Sequence, residues 1–368
     1  MDKKVRVIAY YLPQYHPIPE NDAAWGKGFT EWINVASAKP LFRGHYQPRV
    51  PADLGFYDLR VPEVREQQAE MAFRSGIEGF MYWHYWFGNG RQLLERPFNE
   101  VLAAGKPDFP FCLGWANHSW KTTTWTAKNK SMKGPSTIML QEYLGEEDYI
   151  QHFYSLLPAF KDHRYIKVDN KPFFLIYNLL DIPNYNDFIE LWQDLARKNG
   201  LEGIHFVGNI IGLRAELRKQ EIINSQVDAV ALSNLTKAEE ESDGKLKAYL
   251  KKMLVKSSLQ VEIYEYKDII ENYHTDLEHE EYVYPVIYPQ LDRTPRAGKQ
   301  AVILNNSTPE LFKKFLQDTV DIVLNKQEEH RIILLNAWNE WGEGNYVEPD
   351  QRYGAQYLHA MKEVLLSR

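Results

Sequence analysis

Short apolar runs, separated by longer stretches with hydrophobic residues at helical spacing, recur from one end of the chain to the other. Eight runs stand out: Val5 to Tyr11, Gly79 to Trp83, Phe111 to Trp115, Phe173 to Tyr177, His205 to Asn209, Ala229 to Ser233, Tyr284 to Tyr288 and Ile332 to Ala337. Between them, Val61 to Arg74, Gln92 to Leu102, Asp148 to Phe160, Phe188 to Lys198, Pro309 to Leu324 and Tyr353 to Leu366 repeat apolar positions every three or four residues, so that Leu358, Met361 and Leu365 share one face of the last. Eight strands alternating with helices predict the α/β class and a single (β/α)8 TIM barrel with long strand-end loops, residues 1–368 forming one catalytic domain. The connection 237–281 breaks the rhythm. Its many Lys and Glu residues predict one long helix plus an excursion, with the charges on solvated faces. Neither a linker nor an internal repeat interrupts the pattern.

Barrel chemistry sits at the C-terminal strand ends, and those positions are rich in aromatic and polar residues. The first strand ends in Tyr11, Gln14, Tyr15 and His16, followed by Trp25, Glu31 and Trp32; the second in Trp83, His84 and Trp86; the third in Trp115, Asn117, His118 and Trp120. Tyr177 closes the fourth, and Tyr288, Gln290, Asp292 and Arg296 follow the seventh. Aromatic faces stack on the C–H side of a pyranose, while amides and imidazoles bond to hydroxyls. These residues are therefore the candidate substrate-binding set.

The sharpest signal follows the last run: Trp338-Asn339-Glu340-Trp341-Gly342-Glu343-Gly344. Two glutamates three residues apart among tryptophans fit glycoside cleavage, which needs one carboxyl kept protonated and another kept ionised. Glu340 and Glu343 are the candidate catalytic pair, with Trp338, Asn339 and Trp341 beside them. Glu348 and Asp350 either line a distant subsite or support the loop.

Composition narrows the partner. Aromatic residues make up 14 % of the 368 residues, more than a core needs, and the formal charge of −7 argues against a nucleic-acid binder. An oligo- or polysaccharide fits both facts. Cys112 is the only cysteine and lies in an apolar run, an inert core position. His16, His84 and His118 show neither HxH nor HExxH spacing, so no metal is expected, and the Gly88-Asn89-Gly90 stretch lacks the rest of a phosphate loop, so no nucleotide cofactor is expected either. With no apolar run near the ~20 residues of a membrane span and no secretory leader pattern, the expectation is a cytoplasmic protein.

Tyr10 to His16, Gly28-Phe29-Thr30-Glu31-Trp32, Trp115 to Trp120 and Trp338 to Gly344, in that order, resemble the WbsX-type proteins of bacterial polysaccharide gene clusters. Through the barrel and the final motif the chain also resembles glycoside hydrolase family 99, the endo-α-mannosidases and endo-α-mannanases. The resemblance implies a metal-independent retaining glycosidase, with Glu340 deprotonating the sugar's 2-hydroxyl, which attacks its own anomeric carbon, and Glu343 acting as acid and then base. It equally implies a place among polysaccharide-biosynthesis proteins, where WbsX-type chains are often described as glycosyltransferases. Two departures from the hydrolases point to a different sugar pocket: Gly342 stands where a bulkier residue such as His is expected, and the first strand ends in Leu12-Pro13-Gln14.

Overall fold

The computed structural model describes residues 5–122, 137–243 and 261–366. Eight parallel strands close on themselves: β1 (Arg6–Tyr11), β2 (Gly79–His84), β3 (Phe111–Trp115), β4 (Lys171–Ile176), β5 (His205–Ile210), β6 (Ala229–Leu232), β7 (Val283–Ile287) and β8 (Ile332–Leu335). Each pairs with its sequence neighbours. β8 returns to β1 in the register Ile8↔Leu334, and β3 meets β4 at Leu113↔Phe174. A closed sheet has no unpaired edge, and side chains on both faces are covered, which is why the strands read as continuous apolar runs rather than as alternating ones.

Among the described residues six principal helices wrap the barrel: α1 (Pro62–Arg74), α2 (Arg96–Ala104), α3 (Glu146–Phe160), α4 (Tyr185–Lys198), α5 (Pro309–Val323) and α6 (Gln356–Leu365). Proline at the first turn starts α1, α2 and α5, where a missing N–H costs nothing. On α6, Leu358 and Met361 are buried as the spacing predicts, and Leu365 is half-buried. The predicted helix at Gln92 begins only at Arg96, because Leu93 and Leu94 pack inward with Leu94 in a left-handed turn.

The charged connection is described in part: it holds a helix over Leu235–Asp243, a strand Glu262–Glu265 and a helix Tyr266–Glu271, while residues 244–260, over which the expected long helix would have to run, lie outside the described residues. Glu262–Glu265 pairs with Val302–Asn305, which also pairs with Leu291–Asp292, giving a three-stranded sheet beside the barrel mouth. Glu239 and Glu262 are buried rather than solvated. Cys112 lies in the core, where burial pushes its thiol well above the ordinary range. Among the described residues, no helix is long and apolar enough to cross a membrane.

Candidate active site

A cavity of about 500 Å³ opens at the C-terminal ends of the strands, a size that suits a few sugar rings. Residues following all eight strands reach its wall: Leu12 after β1, Tyr85 after β2, His118 after β3, Tyr177 after β4, Leu213 after β5, Ser233 after β6, Arg293 and Arg296 after β7, and Glu340 and Glu343 after β8. Trp83, Tyr288 and Asn336 complete the floor, with Glu239 and Glu262 on the side of the small sheet.

At its centre one guanidinium gathers three carboxylates. Nε and Nη2 of Arg296 donate to the two oxygens of Glu31 at 3.0 and 2.9 Å, and Nη1 donates to Oε1 of Glu340 and to Oε1 of Glu343, both at 2.9 Å. Arg293 approaches Glu343 Oε1 at 3.2 Å. The two Oε1 atoms, sharing one donor at 2.9 Å, lie no more than about 6 Å apart, short of the ~6.5–9.5 Å that separates the carboxyl groups of inverting glycosidases and compatible with the ~5–5.5 Å of retaining ones. Burial pushes the Glu340 carboxyl above its ordinary range, helped by the neighbouring Glu343 and opposed by Arg296. For Glu343 burial acts in the same direction, yet Arg293 and Arg296 together outweigh it and hold that carboxyl below the ordinary range. The surroundings thus push the two carboxyls in opposite directions, Glu340 up and Glu343 down.

Gly342 explains how Glu31 enters this group. A β-carbon at 342 would overlap the Glu31 carboxylate and come within 2.9 Å of Arg296 Nε. The bulk that the hydrolase resemblance places at this position is supplied here by Glu31, from the start of the short helix Glu31–Ser37, fully buried and bonded by Asn34 Nδ2 at 3.2 Å.

The tryptophans of the last motif, Trp338 and Trp341, are buried away from the cavity wall. Trp341 donates through Nε1 to Glu348 Oε2 at 2.6 Å and stacks on Tyr346 at 3.6 Å. Glu348 also accepts from Tyr57 and Gln68, at 2.9 and 2.7 Å, and Gln68 accepts from Tyr11. Asn339 ties the motif to the end of β1, its Oδ1 accepting from the Leu12 N–H at 2.8 Å and its Nδ2 donating to the Leu12 carbonyl at 3.1 Å. Tyr15 donates to the Asn339 carbonyl, and Trp32 packs on Tyr15, Tyr57 and Trp341. Of the two readings open for Glu348, the structure shows support: burial raises its carboxyl to about 7 against these donors, and it braces the loop from behind.

The predicted binding set therefore divides. Trp83, His118, Tyr177, Tyr288 and Arg296 line the cavity with the two glutamates. Tyr11, Gln14, Tyr15, His16, Glu31, Trp32, Trp338, Asn339 and Trp341 are buried behind it, Trp25 is half-buried with its Nε1 on the Thr122 carbonyl, and none of them reaches its wall. His84, Trp86 and Trp115 pack around His152 inside α3, with the two imidazoles 2.8 Å apart and Trp86 stacked on His152. Trp120 is buried against Tyr85 and Phe87. Asn117 joins the ends of β3 and β4 by bonding the Asn178 N–H and carbonyl. Gln290 donates to the Tyr346 carbonyl, and Asp292 accepts from His45 and Gln47 at 2.8 and 2.7 Å, so both fasten loops. Indole and imidazole at a strand end serve packing as readily as stacking on a ligand, and a single sequence does not separate the two. Arg293 and Tyr85 belong to the wall and were legible only as neighbours of chosen residues; Asn336, Glu239 and Glu262 gave no signal. Among the described residues no group of three or more His, Cys, Asp and Glu side chains is placed to hold a metal ion.

Comparison with known proteins agrees with this architecture. Solved structures of similar fold include a glycoside hydrolase-like protein, at TM-score 0.59 and 16 % identity over 99 % of this chain and 94 % of that one. A GH99 endo-alpha-mannosidase from Bacteroides thetaiotaomicron, in complex with BIS-TRIS-propane, matches at TM-score 0.57 and 13 % identity, covering 98 % of this chain and 96 % of that one. At such identities the likeness is one of fold, a (β/α)8 barrel. The family model described as Glycosyltransferase WbsX matches residues 7–361, and the chain belongs to that family. WxcX, described as an uncharacterized protein, from two strains of Xanthomonas campestris pv. campestris, is 33 % identical over 371 residues, covering 98 % of this chain. The chain spans about half the length of these relatives, 49 %.

Proposed function

We propose that this protein is a retaining glycoside hydrolase, endo-acting on an α-linked glycan of mannan-like or O-antigen-like type. The observation that carries the reading is the pair Glu340 and Glu343 on the wall of a strand-end cavity, their Oε1 atoms held within about 6 Å of each other by one arginine nitrogen, which is compatible with the spacing of retaining enzymes. One carboxyl donates a proton to the departing oxygen. The other attacks the anomeric carbon, or takes the proton of the 2-hydroxyl as that oxygen closes onto it. Trp83 and Tyr177, meeting edge to face at 5.6 Å, offer apolar surface to a sugar ring, and His118, whose imidazole burial lowers to about 4, offers an uncharged partner for hydroxyls. The GH99 endo-alpha-mannosidase among the fold neighbours supports the substrate class. Residues 1–368 act in this reading as one catalytic domain.

A second reading, transfer to a glycan acceptor in O-antigen or exopolysaccharide assembly, is favoured by the family's description as glycosyltransferase WbsX. Turnover in water alone against turnover with added oligosaccharide acceptors separates the two. Hydrolysis products without acceptor support the first, and elongated products formed only with acceptor replace it by the second.

A further inference from the structure

We propose that Arg293 is the positioning residue that divides charge between the two glutamates, so that Glu340 holds the proton and Glu343 the negative charge, the reverse of the roles implied by the hydrolase resemblance. The inference rests on the glycosidase reading above.

The asymmetry is geometric. Glu343 Oε1 meets two guanidiniums, Arg296 Nη1 at 2.9 Å and Arg293 Nη2 at 3.2 Å, whereas among the described residues Glu340 is ion-paired with Arg296, through the same Nη1, and feels Arg293 from farther away. Arg296 is already committed to Glu31 through two parallel bonds, the strong fork arrangement for a carboxylate. The groups facing the pair are these two arginines after β7, Glu31 from its short helix, and the phenols Tyr85, Tyr177 and Tyr288 at the ends of β2, β4 and β7. Burial raises all three phenols, so they stay neutral. Among the described residues of this cluster two cations then balance Glu31 and Glu343, and a proton on Glu340 leaves the cluster itself neutral.

With Oε1 of Glu340 accepting from Arg296, the proton sits on Oε2. It passes to the glycosidic oxygen as the bond from that oxygen to the anomeric carbon breaks. Glu343 meanwhile bonds to that carbon, or receives the 2-hydroxyl proton as the 2-oxygen bonds to it. In the second half, ionised Glu340 takes a proton from water while the water oxygen bonds to the anomeric carbon. Glu343 then leaves as carboxylate, or returns its proton to the 2-oxygen.

The test reads protonation without requiring turnover. Infrared difference spectra across neutral pH are recorded for wild type, Glu340→Gln and Glu343→Gln, with Glu348→Gln identifying the band of the other raised carboxyl. The titrating protonated-carboxyl band is expected to vanish in Glu340→Gln and to persist, shifted to lower pH, in Glu343→Gln; the opposite pattern overturns the proposal. On any glycan that the wild type cleaves, Arg293→Met is expected to move the acidic limb of the kcat/KM pH profile upward while the basic limb stays, with Arg293→Lys largely restoring it. Movement of the basic limb instead assigns the proton to Glu343. Absence of any cleavage removes the glycosidase reading while the infrared result still decides where the proton lies.

Discussion

At position 342 there is room for a hydrogen and nothing larger, because the Glu31 carboxylate fills the space a side chain would take. Gly342→Ala must therefore displace Glu31 from Arg296, and overpacking a closed site costs about 1–3 kcal/mol. The expected outcome is a lowered melting temperature and weakened catalysis, with a double-mutant cycle against Glu31→Ala showing the two sites coupled by roughly 0.5–3 kcal/mol. Additive effects, measured by thermal unfolding, would separate Gly342 from Glu31. That both glutamates of the last motif stand on the cavity wall was legible in the sequence, since two carboxyls among tryptophans at a strand end are seldom mere packing. Glu31 was chosen as a binding residue and lies instead behind the cleft, as an anchor for Arg296. Its pairing with Arg296 spans 265 positions, and no local pattern encodes such a contact. For the same reason Trp341 and Asn339 looked like ligand contacts and are braces.

Loops that carry the site are fixed by buried polar staples rather than by packing alone. Asp292 joins the segment after β7 to the loop His45–Arg49: it accepts from His45 and Gln47, lies 3.8 Å from Arg49 and bonds the Thr294 hydroxyl at 2.7 Å. Burial raises its carboxyl, but the His45 bond, Arg49 and Thr294 outweigh this and bring it below the ordinary range. A depressed folded value means that the ionised form favours the folded chain. That stabilisation is present above the unfolded value of about 3.9 and is lost as pH falls through the lower folded one. Asp292→Asn should cost about 3 kcal/mol near neutrality, as expected for breaking a buried charge pair. Its deficit relative to wild type should shrink as acid protonates Asp292, which urea titrations at stepped pH would follow. A deficit independent of pH would contradict the assignment. At this scale the strands and principal helices were readable because each buried run is contiguous. The small sheet of Glu262–Glu265, Leu291–Asp292 and Val302–Asn305 was not, since its three strands are short and come from separate connections. Its arrival turns Glu239 and Glu262 from surface charges into cavity wall.

The molecule as a whole follows from closure. Eight strands contribute to one apolar core, and no strand pair of the barrel can be lost without opening the ring that carries the carboxylates. Unfolding in denaturant is accordingly expected to give coincident transitions by tryptophan fluorescence and far-ultraviolet circular dichroism, and two separated transitions would divide the chain into more than one domain. The same closure brings residues from every strand end around one cavity, so that two glutamates share a single arginine. The measurement that tests this account most directly is mass-spectrometric product detection after incubating wild type, Glu340→Gln and Glu343→Gln with α-mannans, rhamnans and bacterial O-polysaccharides, each variant first shown to melt like wild type. The account predicts oligosaccharides of retained anomeric configuration released by the wild type, with loss of about 10²–10⁴-fold or more in either variant. Equal release by a variant, or inverted products, would contradict it.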